Sequence, residues 1–395
     1  MSATQAVDLN TGGPSQAAPD ISVVMPCLNE AGSVGTCIEN ALEGIRKTGL
    51  TGEVVISDNG STDDSVEIAT RAGARVVRQP ERGYGNAYLK GFAEARGRYI
   101  VMGDSDGSYD FTQLDRLIQP LLDGDYDYVL GSRFAGKILK GAMPWTHRYI
   151  GNPVLTGVLN RLFKVNSSDA HSGMRAFTSD AYKRLDLRSA GMELASEIVI
   201  NAAKAGLRGT EVPITYHPRE GESKLHSMRD GWRHLRFMLL LSPNWLFTGP
   251  GLAMFVLGLL GQGLLLPGPL NLGFHALDVH FSVLFALLAI LGYQTLLFGV
   301  FARTCLPREE GKAADRLQRW FERNYSLERG LVGGGVLFVV GFLIDAAIFI
   351  HWLREGMGPI DSLRPALLAM TLMMVGAQTG FAAFFLGLFR TDRSR

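Results

Sequence analysis

Cysteine is almost missing from this 395-residue chain, which holds only Cys27, Cys37 and Cys305. An odd number in no metal-ligand spacing supports neither a disulfide framework nor a cysteine metal site. Cys27 and Cys37 read as small core residues, and the first 245 residues fit a reducing, cytoplasmic setting. Charge is scarce and balanced, with 39 basic against 38 acidic residues. Bulk charge therefore identifies no partner, and no nucleic-acid partner is expected. Residues 1–20 lack the basic start and apolar core of a signal peptide and read as a disordered tail.

What the chain has in excess is apolar residues, 47% against 19% charged, and they collect after Trp245. Four apolar stretches, 248–268, 279–301, 331–353 and 365–389, each reach the ~20 residues that cross a hydrocarbon core. Between the second and third lie Arg303, Arg308, Lys312, Arg316, Arg319, Arg323 and Arg329, and the tail carries Arg390, Arg393 and Arg395. The short links 269–278 and 354–364 are poor in basic residues. The positive-inside rule then puts the amino-terminal part, the middle loop and the tail in the cytoplasm. Asp345 is an acid inside a span, where acids are usually buried and paired. Ahead of the spans, 227–245 contains a helix pattern mixing Arg229, Arg233, His234 and Arg236 with Trp232, Phe237 and leucines. Such a basic, aromatic, amphipathic helix suits the membrane interface, where each arginine can meet an anionic head group.

From Ile21 to about Pro218 apolar strands alternate with helical patterns, which implies an α/β fold on a doubly wound, mostly parallel sheet. Strands are expected at Ile21–Met25, Glu53–Ser57, Ala74–Arg78 and Tyr99–Gly103. Helices are expected over 33–48, 61–72 and 86–95. Ligands of such sheets bind beyond the carboxyl ends of the strands, and three of those ends carry acids and amides. The first runs into Pro26-Cys-Leu-Asn29-Glu30, the second into Asp58-Asn-Gly-Ser-Thr-Asp63, and the fourth into Asp104-Ser105-Asp106-Gly. Asp104 and Asp106 fall on one side of a strand and suit a hard divalent cation holding a diphosphate. Asp63 and Asp64 fit the first turn of a helix. Gly83-Tyr-Gly85 lacks the third glycine of a dinucleotide fingerprint, so a nicotinamide enzyme is not expected.

These motifs, with Gly83-Tyr-Gly85-Asn-Ala87, Gly131-Ser-Arg133-Phe, Asp169-Ala-His-Ser-Gly-Met-Arg175 and Glu211-Val-Pro-Ile through Arg219-Glu-Gly-Glu-Ser223-Lys224-Leu, resemble glycosyltransferase family 2. They match, in order over Ile21–Leu225, its branch of dolichyl-phosphate mannose synthase and bacterial polyprenyl-phosphate glycosyltransferases. The resemblance implies a GT-A type domain at 21–226, which the amphipathic pattern and the apolar stretches extend with an interfacial helix at 227–245 and a membrane domain at 246–395. It implies that Pro26, Asn29, Glu30 and Asp58 line the nucleoside pocket, with Gly85 and Ser105 in the donor-binding set. Asp104 and Asp106 would bind the diphosphate through Mg²⁺ or Mn²⁺. Arg219, Ser223 and Lys224 match positions that meet donor phosphates or the lipid phosphate, and Arg133 a position near the acceptor phosphate. Gly107-Ser108 departs from relatives at a possible third ligand position. Gln318-Arg-Trp320 is an incomplete, misplaced form of the processive-synthase signature, so polysaccharide polymerisation is not expected.

The expected activity is inverting transfer of one sugar, from GDP-mannose or UDP-glucose, to a polyprenyl or dolichyl phosphate at the cytoplasmic face. A metal ion with Arg219 and Lys224 would stabilise the leaving diphosphate. A phosphate nucleophile is already ionised, whereas a hydroxyl acceptor, the second reading, would need an acid such as Asp169 to take the proton. A third reading makes the spans a transporter or flippase and the soluble part a nucleotide-sugar sensor. The spans are equally open to service as anchor, acceptor guide or oligomer interface.

Overall fold

The computed structural model describes residues 18–221, 227–271, 276–305, 326–358 and 362–392. The chain divides into two compact units, one ending at Met238 and the other beginning at Leu239. In the first, β1 (Ile21–Cys27), α1 (Val34–Thr48), β2 (Gly52–Asp58), α2 (Ser65–Arg71), β3 (Arg75–Arg78), α3 (Tyr84–Glu94) and β4 (Tyr99–Met102) follow the expected alternation. Then come α4 (Leu114–Leu122), β5 (Tyr128–Ile138), α5 (Asn152–Phe163), β6 (Arg175–Thr178), α6 (Ser179–Leu185), α7 (Leu194–Lys204), β7 (Gly209–Tyr216) and α8 (Ser227–Leu240).

The seven strands form one sheet in the order β3-β2-β1-β4-β6-β5-β7. All neighbours are parallel except β6, which runs antiparallel to both β4 and β5. The parallel half is apolar on both faces because helices cover both. Ile21, Val23 and Met25 of β1 pack with α1 and α4, whereas Val24 packs with α3 and α7, the two-residue period of a strand. On α1, buried Val34, Cys37, Ile38, Ala41 and Ile45 form a single stripe. Helix α2 begins at Ser65, later than its polar run suggests. Asp63 accounts for the delay: its Oδ1 accepts from Ser65 N (3.1 Å) and its Oδ2 from Ala31 N (3.1 Å). That side chain both starts the helix and ties it to the loop after β1.

The second unit holds α9 (Gly249–Leu265), the short strands β8 (Leu270–Asn271) and β9 (Ala276–Leu277), α10 (Val279–Cys305), α11 (Leu327–Arg354) and α12 (Leu363–Asp392). Four helical segments, Asn244–Leu265, Val279–Thr304, Leu327–Arg354 and Leu363–Leu388, are long and apolar enough to span a bilayer. Small residues let their backbones close on each other. A Cβ on Gly258 would lie 2.3 Å from Ala289 N of α10, and Gly334 and Gly376 face each other across α11 and α12. Asp345 is half-buried on α11 and makes no ion pair with any described residue. The basic loop between α10 and α11 largely lies outside the described residues.

Candidate active site

The ends of β1 and β4 open into a cavity of about 290 Å³. Pro26, Glu30, Asp104, Ser105, Asp106 and Arg219, all singled out by the sequence, line it. Short polar contacts fasten these strand ends together. Ser105 Oγ donates to the Pro26 carbonyl at 2.6 Å, and Ser33 Oγ to the Ser105 carbonyl at 2.7 Å.

The two aspartates are held differently. Asp104 Oδ1 accepts from the hydroxyls of Tyr84 (3.0 Å) and Tyr88 (2.9 Å), both on α3. Its Oδ2 has no hydrogen-bond donor among the described residues. Burial, reinforced by the neighbouring Asp106 carboxylate, pushes Asp104 up to about 6, and the two tyrosine hydroxyls oppose that rise. Asp106 is only 3% exposed. Its Oδ1 accepts from Ser108 N (3.0 Å) and Ser108 Oγ, and its Oδ2 from Arg219 Nε (3.0 Å) and the terminal guanidinium nitrogen. Glu220 N closes on the Asp106 carbonyl at 2.9 Å, which docks the loop after β7 onto the acidic turn. Ser108, the departure from relatives, thus orients Asp106.

Tyr84 reaches Asp104 because the chain around it can approach its neighbours closely. A Cβ on Gly85 would stand 2.0 Å from the Ser189 carbonyl, and one on Gly83, at φ +149°, 2.3 Å from that of Ala190. The two glycines serve this backbone contact, which explains their dinucleotide-like spacing. Gly85 itself does not line the cavity.

Other expected residues stand behind the lining. Asn29, at φ 54°, turns its Oδ1 to Thr62 N (2.7 Å). Asp58 accepts from Ser61 N (3.0 Å) and Gly60 N (3.3 Å) and so shapes the loop after β2. Arg133 and Asp169 meet each other rather than the cavity. Nε and a terminal nitrogen of Arg133 each lie 2.7 Å from an Asp169 oxygen, Arg133 N donates at 3.0 Å, and both side chains are buried. Ser223 and Lys224 lie outside the described residues.

Asn59, Arg82, Tyr84, Met192, Arg229 and Arg233 also line the cavity, although no pattern in the sequence assigned them to this site. Asn59 follows Asp58 and could have been read from that motif. It donates to the carbonyls of Gln79 (3.0 Å) and Glu81 (2.8 Å) and accepts from Gly83 N (2.8 Å). Arg229 and Arg233 were legible only as a basic face.

Helix α8 meets the catalytic unit through His234, and Asp230, His234 and Met238, spaced by four residues, are all buried. Met228, Trp232 and Leu240 are exposed, at 88%, 59% and 60%. Ser196 Oγ sits 2.8 Å from His234 Nδ1 and 3.2 Å from His171 Nε2, and the two rings meet edge-on. Burial pushes His234 from its ordinary 6.5 down to about 4 and lowers His171 well below that ordinary value. Below pH 6.5 the unfolded chain gains protons that the folded one refuses. Their stabilisation is therefore complete above 6.5 and declines as pH falls towards 4, by about 1 kcal/mol per pH unit for each histidine. We expect the melting temperature of the catalytic unit to drop between pH 7 and pH 5, and His234→Asn to flatten that drop in a thermal melt of the full chain.

The donor set fits a divalent cation. Mg²⁺ and Mn²⁺ are commonly held by one or two carboxylates together with substrate phosphates and water, and Asp104 and Asp106 supply the carboxylates. No group of three or more acidic, histidine or cysteine side chains suited to a metal occurs among the described residues.

Residues 22–186 match the model of glycosyl transferase family 2, and residues 300–390 that of the glycosyltransferase family 2 C-terminal transmembrane region. A low-salt glycan biosynthesis hexosyltransferase of Haloferax volcanii is 41% identical over 373 residues, 94% of this chain and 90% of the relative. The glycosyltransferase AglJ of the same organism is 32% identical over 76% of this chain and 99% of its own. A dolichyl-phosphate hexose transferase, also from Haloferax volcanii, is 33% identical over 54% of this chain and 89% of its own. The chain belongs to glycosyltransferase family 2. It is a membrane-bound enzyme with a mostly parallel, GT-A type sheet and four apolar helices.

Proposed function

We propose that the chain transfers one hexose, with inversion, from a nucleotide-sugar donor to a polyprenyl or dolichyl phosphate at the cytoplasmic membrane face. The observation that carries this reading is the cavity in which Asp104 and Asp106 sit with Arg219 at the ends of β1 and β4, on a chain with four apolar helices. The name of the dolichyl-phosphate hexose transferase relative supports it further. The acceptor phosphate oxygen attacks the anomeric carbon from the face opposite the leaving group. The new carbon–oxygen bond forms as the bond to the β-phosphate breaks, and the nucleoside diphosphate departs with the electron pair. No proton moves, since the nucleophile is an anion at pH 7.

Asp104 and Asp106 would hold Mg²⁺ or Mn²⁺, which when bound neutralises charge on the leaving diphosphate. Arg219, already directed at Asp106, adds a second cation there. The loops carrying Pro26, Glu30 and Asn59 form the donor side. A hydroxyl acceptor would need a free base, and Asp169 has both oxygens committed to Arg133.

The test is transfer by the purified full chain in bilayers containing polyprenyl phosphate and Mg²⁺ or Mn²⁺. Labelled UDP-glucose, GDP-mannose and UDP-N-acetylglucosamine are supplied separately. Label in a monophosphate-linked lipid, abolished by chelator, is the expected result. Metal-dependent nucleotide-sugar binding with no transfer from any donor would overturn the reading.

A further inference from the structure

Two arginines of α8 point to a recognition role that the chemistry above leaves unassigned. Arg229 and Arg233, one helical turn apart, each precede a member of the buried stripe Asp230, His234, Met238. His234 bonds to Ser196 of α7 and its ring meets that of His171, which anchors the helix at that turn. Both arginines consequently line the cavity that contains Asp104 and Asp106. Arg236, on the same helix, does not.

Among the described residues neither guanidinium has a close partner. Arg229 makes no hydrogen bond or ion pair with a described residue, and Arg233 reaches Asp230 only at 3.8 Å, with its side chain 46% exposed. Arg219, by contrast, is bonded to Asp106 beside the diphosphate position.

The proposed reaction gathers two phosphate-bearing substrates in one cavity. The acidic pair and its cation answer the donor diphosphate. The incoming phosphate monoester needs positive charge of its own to approach that diphosphate, and arginine forks match phosphate oxygens two at a time. Helix α8 ends at Leu240 and the first apolar segment begins at Asn244, so in the chain these arginines immediately precede the membrane domain. We propose that Arg229 and Arg233 hold the phosphate of the acceptor lipid inside the cavity. The inference rests on the polyprenyl-phosphate reading.

The experiment compares the full chain with Arg229→Gln, Arg233→Gln and the charge-matched control Arg236→Gln in phosphatidylcholine bilayers, with and without anionic lipid. It measures KM for polyprenyl phosphate and for donor. It also measures equilibrium binding of farnesyl phosphate and of nucleoside diphosphate with Mg²⁺. Charge-assisted hydrogen bonds of about 1.5–3 kcal/mol predict an acceptor KM raised about 10-fold or more by each cavity variant, and farnesyl phosphate binding weakened likewise. Donor KM and nucleotide binding should stay within about twofold, and Arg236→Gln should match the wild type.

A shift in the donor constants alone would assign the arginines to the donor diphosphate and overturn the proposal. So would a defect that Arg236→Gln reproduces, or one that follows the anionic lipid content, since that marks head-group contact. Normal acceptor constants in active cavity variants overturn this inference and leave the function reading standing. Wild-type protein that transfers nothing to lipid phosphate, yet binds farnesyl phosphate through Arg229 and Arg233, overturns the function reading and supports this one.

Discussion

Asp106→Asn is expected to abolish nearly all sugar transfer while leaving the fold intact. The amide keeps the acceptor that Ser108 N and Oγ engage, so the turn after β4 has no reason to rearrange. What disappears is one of the two carboxylates suited to a cation, together with the charge opposite Arg219. Charge stabilisation of the leaving group by a bound metal is worth several kcal/mol, which corresponds to a fall of ~10³-fold in kcat. The melting temperature should change little, because the ion pair at the cavity wall is partly open to water on the Arg219 side. Single-turnover transfer measured beside a thermal melt checks both halves. Retention of more than a tenth of wild-type kcat would remove Asp106 from the chemistry.

Asp169→Asn should behave in the opposite way, losing stability first. Asp169 is completely buried and its only charged partner among the described residues is Arg133, itself 7% exposed. Removing one member of a buried pair leaves the other uncompensated, at a cost of about 3–5 kcal/mol. The ring of Tyr216, 5.2 Å from the Arg133 guanidinium, offsets only a small part of that. Joint replacement, Arg133→Met with Asp169→Leu, should recover most of the lost stability, since no buried charge then remains. Chemical denaturation of the three variants measures this. A variant at Asp169 as stable as the wild type, but inactive, would contradict a structural role and revive a proton-accepting one for a hydroxyl acceptor.

The alternation of apolar runs with helical patterns and the positions of the four long apolar segments were legible in the chain. So was the chemistry of the strand ends, because each depends on residues adjacent in sequence. A buried parallel strand must be apolar on both faces, and a span must be apolar for ~20 residues, so local composition reports both. The antiparallel course of β6 between β4 and β5 left no such trace. Its four residues, Arg175–Thr178, are too few to display a direction, and pairing is decided by what they meet.

The site divides along the same line. Asp104 and Asp106 announced themselves by spacing, but the hydroxyls of Tyr84 and Tyr88 on Asp104 did not. Nor did the pairing of Asp106 with Arg219, more than a hundred positions away. Asn29, Asp58 and Asp169 were recognised as polar residues in motifs, yet the fold turns their side chains to backbone amides and to Arg133. An acid in a motif can serve ligand or loop, and only its neighbours in space decide which. Helix α8 shows this most directly. Its residues declared an amphipathic basic helix. The contact of His234 with Ser196 and His171 holds the helix where Arg229 and Arg233 line the cavity and Arg236 does not. Sequence alone determined the family, the membrane segments and the acidic strand ends, because these are written in local pattern. Tertiary structure decided which charges share a cavity, because that depends on contacts between segments far apart in the chain.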